Sequence, residues 1–233
     1  VSKNKSNLNY IPYSIPKNKI IDGISFIDNN NELDHELNNL VKSNNSNLNY
    51  IPYSIPKYKI IDGISYIDFN DELYRLKIFG DHNLQNISGA LNICKALGVE
   101  SQDFYKAITS FNGASNRLEL VYQSSDTIIF KDFAHSPSKV KATTEAVRKQ
   151  FPNRKLISFF ELHTYSSLNP LFLEKYRDTL KHSDECYIYY SEKNMKIKRL
   201  EPIDSELIIK SFNHNCLNVI DNYEKLNQII YNL

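Results

Sequence analysis

Residues 127–161 read TIIFKDFAHSPSKVKATTEAVRKQFPNRKLISFFE, and this stretch decides the fold. An apolar run at 127–131 gives way to a polar loop. A segment follows whose Val140, Val147 and Phe151 fall on one helical face, and then a second apolar run at 155–161. Ser136 stands where an N-cap belongs and Pro137 occupies the first turn, where a missing N–H costs nothing. Strand, helix, strand in that order is the unit of a parallel sheet.

The same alternation continues on both sides. The pattern predicts a strand at 117–122, a helix at 168–180, a strand at 186–190, a helix at 205–212, a strand at 217–220 and a helix at 223–231. A largely parallel, Rossmann-like α/β sheet covered on both faces follows, with ligands beyond the carboxyl ends of its strands. DFAHSP at 132–137 and ELHTYSS at 161–167 both fall at such ends. Upstream, Leu84, Ile87, Leu91 and Cys94 recur at helical spacing, with Asp81 or Asn83 as N-cap and Gly98 past the end. A second helix is expected at 101–111.

Residues 7–33 recur at 47–73 with four differences. Each copy sets apolar residues on either side of Asp-Gly, which tolerates the positive φ angles of a type I′ turn, so each reads as a β-hairpin. The second copy runs directly into GDHNLQN at 80–86 and is taken as the native one. The first has no obvious partner and is expected to be mobile or to pair with a neighbouring sheet edge. Three regions result: a duplicated hairpin and polar linker at 1–46, a hairpin and helices at 47–113, and the α/β sheet at 114–233.

Composition narrows the function. With 28 basic and 27 acidic residues interleaved, the chain has no electrostatic footprint for nucleic acid or an acidic membrane face. Cys94, Cys186 and Cys216 are odd in number and widely spaced, which signals neither disulfides nor zinc and predicts three reduced, mostly buried thiols. No apolar run approaches the ~18 residues of a membrane span, and a cytoplasmic location is expected.

The three short motifs carry the chemistry. GDHNLQN places His82, Asn83 and Asn86 at a helix start, where free N–H groups favour an electron-rich ligand and amides suit the edge of adenine; plain helix capping is the bland reading. Arg117 can neutralise phosphate and Asp132 can accept from ribose hydroxyls, although each taken singly is as ordinary as a surface arginine or a capping carboxylate. His135 and Ser136 sit just before a helix, and His163 and Ser166 lie in the loop after a strand.

In this order the motifs resemble the second half of a Mur ligase. These are ATP-dependent enzymes that join an amino acid or peptide to UDP-N-acetylmuramate through an acyl phosphate. The resemblance implies that 47–113 is the end of the family's central ATPase domain and 114–233 its C-terminal domain, shortened by a strand so that the sheet keeps an exposed edge. It assigns His82, Asn83, Asn86, Arg117 and Asp132 to ATP, and His135, Ser136, His163 and Ser166 to substrate, the 161–167 loop being the one that faces the incoming amino acid or peptide. Related ligases carry arginine near the end of this loop, where Ser166 and Ser167 stand. The Glu161-Leu162-His163 variant with its serine pair most resembles the branch that ligates a recycled murein tripeptide, as opposed to the alanine-adding branch.

The six glycines, at 23, 63, 80, 89, 98 and 113, build neither a GxGxxG fingerprint nor a GxxxxGK loop ending in Ser or Thr. The chain is therefore expected to be a fragment, inactive by itself. ATP with magnesium would serve the parent enzyme, with no cofactor held tightly here. The alternative is a non-catalytic doubly wound module kept for interaction or regulation.

Overall fold

The computed structural model describes residues 19–21, 24–28, 49–201 and 203–231. They form two compact units: residues up to Lys57 with Asn83–Ala107, and Tyr58–His82 with Ile108–Leu233.

In the first unit β1 (Lys19–Ile21) and β2 (Ile24–Asp28) form the hairpin of the first repeat copy, and β2 lies parallel to β3 (Asn49–Tyr53). Residues 19–21 and 24–28 of the first copy thus lie in a three-stranded sheet; the rest of that copy lies outside the described residues. Helix α1 (Asp81–Ala96) supplies most of its length to this unit and α2 (Ser101–Ile108) follows. Gly89 lets α1 approach Tyr53, since a Cβ there would stand 3.3 Å from the ring. The core side chains are Leu84, Ile87, Phe104 and Tyr105.

The second unit opens with the second hairpin, β4 (Tyr58–Ile61) and β5 (Ile64–Phe69), extended by β6 (Glu72–Arg75) into an antiparallel sheet. Asp62 and Gly63 have φ of 50° and 71°, the pair of positive angles that a type I′ turn needs. A second such pair, Asn70 and Asp71, turns β5 into β6, a strand that the apolar pattern did not announce.

This sheet is fastened to the rest of the unit by helix α3 (Pro137–Gln150). The Gln150 amide donates to the Gly63 carbonyl at 2.7 Å, and its oxygen accepts from the buried Ser65 hydroxyl at 2.9 Å. A Cβ on Gly63 would stand 2.9 Å from the Phe151 ring. Gly63→Ala should therefore destabilise through both backbone strain and collision, by about 2 kcal/mol. Gly98 also has positive φ but faces open space, so Gly98→Ala should cost roughly half as much when the two variants are compared by urea titration.

Strands β7 (Glu119–Gln123) and β8 (Ile128–Lys131) pair antiparallel through a turn closed by the Ser124 N–H on the Thr127 carbonyl. Beyond α3 come β9 (Ile157–Leu162), α4 (Pro170–Leu173), β10 (Glu185–Tyr190), α5 (Glu192–Ile197), α6 (Ser205–Phe212), β11 (Leu217–Ile220) and α7 (Tyr223–Tyr231). The parallel sheet has the order β11–β10–β9. It is narrower than the sequence pattern suggests, because the tight 124–127 turn commits β8 to an antiparallel ribbon with β7. Among the described residues β11 pairs on one side only.

The expected helix at 168–180 is a correction. Only Pro170–Leu173 is α-helical, followed by a 3₁₀ turn at Glu174–Tyr176. The chain leaves the helix at Arg177 (ψ 128°) and Asp178 (φ 59°). Leu173, Tyr176 and Leu180 imitate a helical stripe yet reach the core from a helical turn and a chain of bends. A second correction concerns the thiols: Cys186 is buried, but Cys94 is half-buried and Cys216 exposed. Among the described residues no helix is long and apolar enough to cross a membrane.

Candidate functional site

Arg117 and Asp132 are brought together by the backbone. The Asp132 carboxylate accepts from the Leu118 N–H at 2.8 Å, and the Phe133 N–H donates to the Asn116 carbonyl at 2.9 Å. The two bonds staple the 116–118 segment to the end of β8. Asn116 and Leu118, on either side of Arg117, have φ of 55° and 45°. Such angles are costly for leucine and persist only where surroundings enforce them. They also explain why β7 begins at Glu119, two residues later than expected. Arg117 is exposed, and among the described residues no carboxylate pairs with its guanidinium.

DFAHSP and ELHTYSS also meet. The rings of His135 and His163 lie with centroids 6.4 Å apart, and the Phe133 ring stands 5.3 Å and 5.9 Å from them. Each imidazole is oriented in the same way: its Nδ1–H donates to the carbonyl two residues earlier, Phe133 for His135 (3.1 Å) and Glu161 for His163 (3.3 Å). In the neutral ring this leaves Nε2 as an acceptor for a ligand. The backbone at His135 is held from below by the buried Tyr176 hydroxyl, which donates to its carbonyl at 2.5 Å. Burial pushes the Tyr176 phenol up to about 12, so it remains a donor.

Ser136 occupies the N-cap position of α3, but its hydroxyl makes no capping bond. The sequence expectation of a side-chain cap therefore fails, and Pro137 in the first turn starts the helix. In the 164–167 turn, Thr164 N–H donates to Ser167 Oγ and Ser167 N–H donates to Thr164 Oγ1, both at 3.0 Å. Ser167 is 1% exposed. Ser166 is exposed, with its hydroxyl 3.1 Å from that of Thr164.

The first three residues of GDHNLQN, Gly80–His82, stand elsewhere in the second unit, whereas Asn83–Asn86 belong to the first. Asp81 accepts from the Tyr58 hydroxyl at 2.7 Å and from Lys149 at 3.1 Å. A Cβ on Gly80 would meet Ala146 at 2.7 Å and the His82 ring at 3.1 Å. Ala146 and Lys149 lie nine to twelve residues along α3 from Pro137, a rise of roughly 14–18 Å. The structure thus ties the segment carrying Arg117 to Asp132 and sets His135 near His163, and leaves His82 at the far end of α3. Asn83 is half-buried and Asn86 exposed on α1.

A cleft of about 1060 Å³, lined by Arg75, Lys77, Phe79, Phe130, Phe151 and Arg154 among others, contains none of the nine residues assigned from sequence. Neighbouring side chains that the sequence reading did not single out are Phe133, whose ring borders both histidines, and Lys198, whose ammonium lies 4.2 Å from the centre of the Tyr165 ring. The available signal was a run of four cations, Lys193, Lys196, Lys198 and Arg199, just after a predicted strand.

No family model matches the sequence. Over 115 residues the chain is 33% identical to the UDP-N-acetylmuramate–L-alanine ligase of Lactobacillus delbrueckii subsp. bulgaricus, covering 49% of this chain and 26% of that enzyme. The chain spans about a quarter of the length of the curated relatives it matches. Its fold is similar to that of UDP-N-acetylmuramate–alanine ligase MurC from Thermotoga maritima, with TM-score 0.60 at 15% identity over 79% of this chain and 42% of that one. It is also similar to MurF from Acinetobacter baumannii, with TM-score 0.68 at 16% identity over 91% and 46%. Over about half of its length the chain is thus similar in sequence to UDP-N-acetylmuramate–L-alanine ligases, and its fold is similar to that of Mur ligases.

Proposed function

We propose that this chain is the nucleotide-facing and amine-facing part of an ATP-dependent ligase that joins an amino acid or peptide to UDP-N-acetylmuramate, in the cytoplasm, during peptidoglycan synthesis or recycling. In that reaction the muramyl carboxylate takes the γ-phosphoryl group of ATP, and the amine attacks the acyl phosphate and expels phosphate. The observation that carries the reading is the stapling of the 116–118 segment, which holds Arg117, to Asp132, together with the paired imidazoles of His135 and His163, in a chain whose sequence relatives are ligases of this kind.

The residues present fit a nucleotide. Arg117 offers an exposed guanidinium with no competing carboxylate, suited to phosphate oxygens. Asp132 spends one oxygen on the Leu118 amide and has a second for a ribose hydroxyl. ATP with magnesium would supply the phosphoryl group; the chain's own part is to bind and orient, which is where phosphoryl transfer draws its rate. His82, Asn83 and Asn86 would complete the nucleotide site, and His135, Ser136, His163 and Ser166 would face the amine.

Titration calorimetry with ATP and magnesium tests this. Weak binding is expected, about 10–100-fold weaker in Arg117→Ala, the usual worth of one charge-assisted hydrogen bond. Asp132→Asn keeps an acceptor for Leu118 and should weaken binding without unsettling the loop, whereas Asp132→Ala loses both. Full affinity in Arg117→Ala and Asp132→Asn would favour the interaction-module reading. The chain alone should show no ATP turnover; turnover above a buffer blank, abolished by Asp132→Ala, would overturn that expectation.

A further inference from the structure

We propose that Lys198, held over Tyr165, is the cation that binds a carboxylate of the amine substrate and so sets which amines this ligase accepts. This rests on the ligase reading and deepens it. Three observations meet at one place.

First, the loop itself supplies no cation. Ser167 is turned inward, its hydroxyl donating to the Thr164 carbonyl at 3.1 Å, and the 164–167 turn is closed by reciprocal hydroxyl bonds. Of the two positions where related ligases are expected to place arginine, 167 is thus built into the interior here, and 166 carries an uncharged serine.

Second, Lys198 is presented by a rigid element. Helix α5 starts at Ser191, whose hydroxyl accepts from the Asn194 N–H. It ends with Arg199 in the left-handed region (φ 56°), the Leu200 N–H on the Met195 carbonyl at 3.0 Å and the Arg199 N–H on the Lys196 carbonyl at 3.1 Å. That is a Schellman ending, and its hydrophobic contact is present: Met195 is buried in the core and Leu200 packs against it. Lys198 is the last residue before the left-handed one, so its backbone is fixed by the cap. α5 follows β10 directly, at the carboxyl end of the parallel sheet, as the 163–167 loop follows β9.

Third, the ammonium is placed but not neutralised. It lies over the exposed Tyr165 ring at 4.2 Å, a cation–π distance. Among the described residues no carboxylate pairs with it. Residues 191–201 carry four cations against two carboxylates, Glu192 and Glu201, so the local field favours an anion. An ammonium on a half-buried lysine held by an aromatic face keeps its N–H donors for a ligand, and a carboxylate is the ligand class that such a cation binds best.

Calorimetric titration of the full chain with L-alanyl-γ-D-glutamate, against L-alaninamide as the probe without a carboxylate, tests this. The wild type should prefer the dipeptide by at least tenfold. Lys198→Gln should abolish the preference, Lys198→Arg should keep it, and Tyr165→Leu should weaken dipeptide binding several-fold by releasing the ammonium. An unchanged dipeptide affinity in Lys198→Gln, or a wild type that does not prefer the dipeptide, overturns the proposal. ATP titration of Lys198→Gln separates the two readings: Arg117-dependent nucleotide binding that persists leaves the ligase reading standing when the Lys198 proposal fails.

Discussion

Tyr176→Ala is expected to cost about 3–5 kcal/mol of unfolding free energy, the range for truncating a buried aromatic side chain. Tyr176 has no exposed surface. Its ring stacks on Phe212 at 5.1 Å and 15° and touches Phe160 and Phe172 at 5.5 Å and 6.0 Å, so the truncation opens a cavity walled by three aromatic rings. Tyr176→Phe separates packing from polarity: it keeps the ring, deprives the His135 carbonyl of its donor, and should cost about 1–2 kcal/mol. Urea titrations of the two variants give the difference. A truncation costing under about 1 kcal/mol would mean that the cluster collapses onto the gap.

The same residue gives the stability a dependence on alkaline pH. Burial raises Tyr176 to about 12 and Cys186 to about 12, from 10.0 and 9.0. Both groups hold their protons more tightly folded than unfolded. Their contribution is complete below the unfolded values and is lost as pH rises through about 9–12. Stability should be flat from pH 7 to pH 9 and then fall. Tyr176→Phe should flatten the upper part of the decline, and Cys186→Ala the lower.

Most of the fold was legible because its elements announce their own ends. Asp204 accepts from the Glu206 N–H, Asn213 takes the left-handed angle, and α6 runs over the expected residues 205–212. β11 and α7 likewise match their sequence boundaries. Asp62-Gly63 makes the turn its residue types imply. What stayed hidden was decided by contacts distant in sequence. β6 rests on an Asn70-Asp71 turn that carries no glycine, and the stripe at 173–180 imitates a helix although the Phe212 carbonyl captures the Asp178 N–H. The candidate site followed the same rule. The motifs gave His135 and His163, but only the folded chain shows that the Leu118 amide occupies Asp132, or that Lys198 comes to lie over Tyr165 from 33 residues away.

Ser167→Arg, which would place an arginine where related ligases are expected to carry one, should destabilise the protein by about 3–5 kcal/mol, the cost of an uncompensated buried charge. Ser167 is 1% exposed, gives and receives the bonds that close the 164–167 turn, and precedes Leu168, which is 2% exposed in the main core. A guanidinium has no room there without opening the turn. Opening the turn would move His163, whose ring position depends on the backbone entering it. Ser166→Arg is the control: one residue away the side chain is exposed, and the change should stay within about 0.5 kcal/mol. Urea titration of the pair tells the two positions apart. Wild-type stability in Ser167→Arg would show that the interior turn does not exclude arginine. A large loss there with none at Ser166 would mean that the turn, locked by two hydroxyls, shuts a cation out of position 167 while position 166, one residue away on the surface, still admits one.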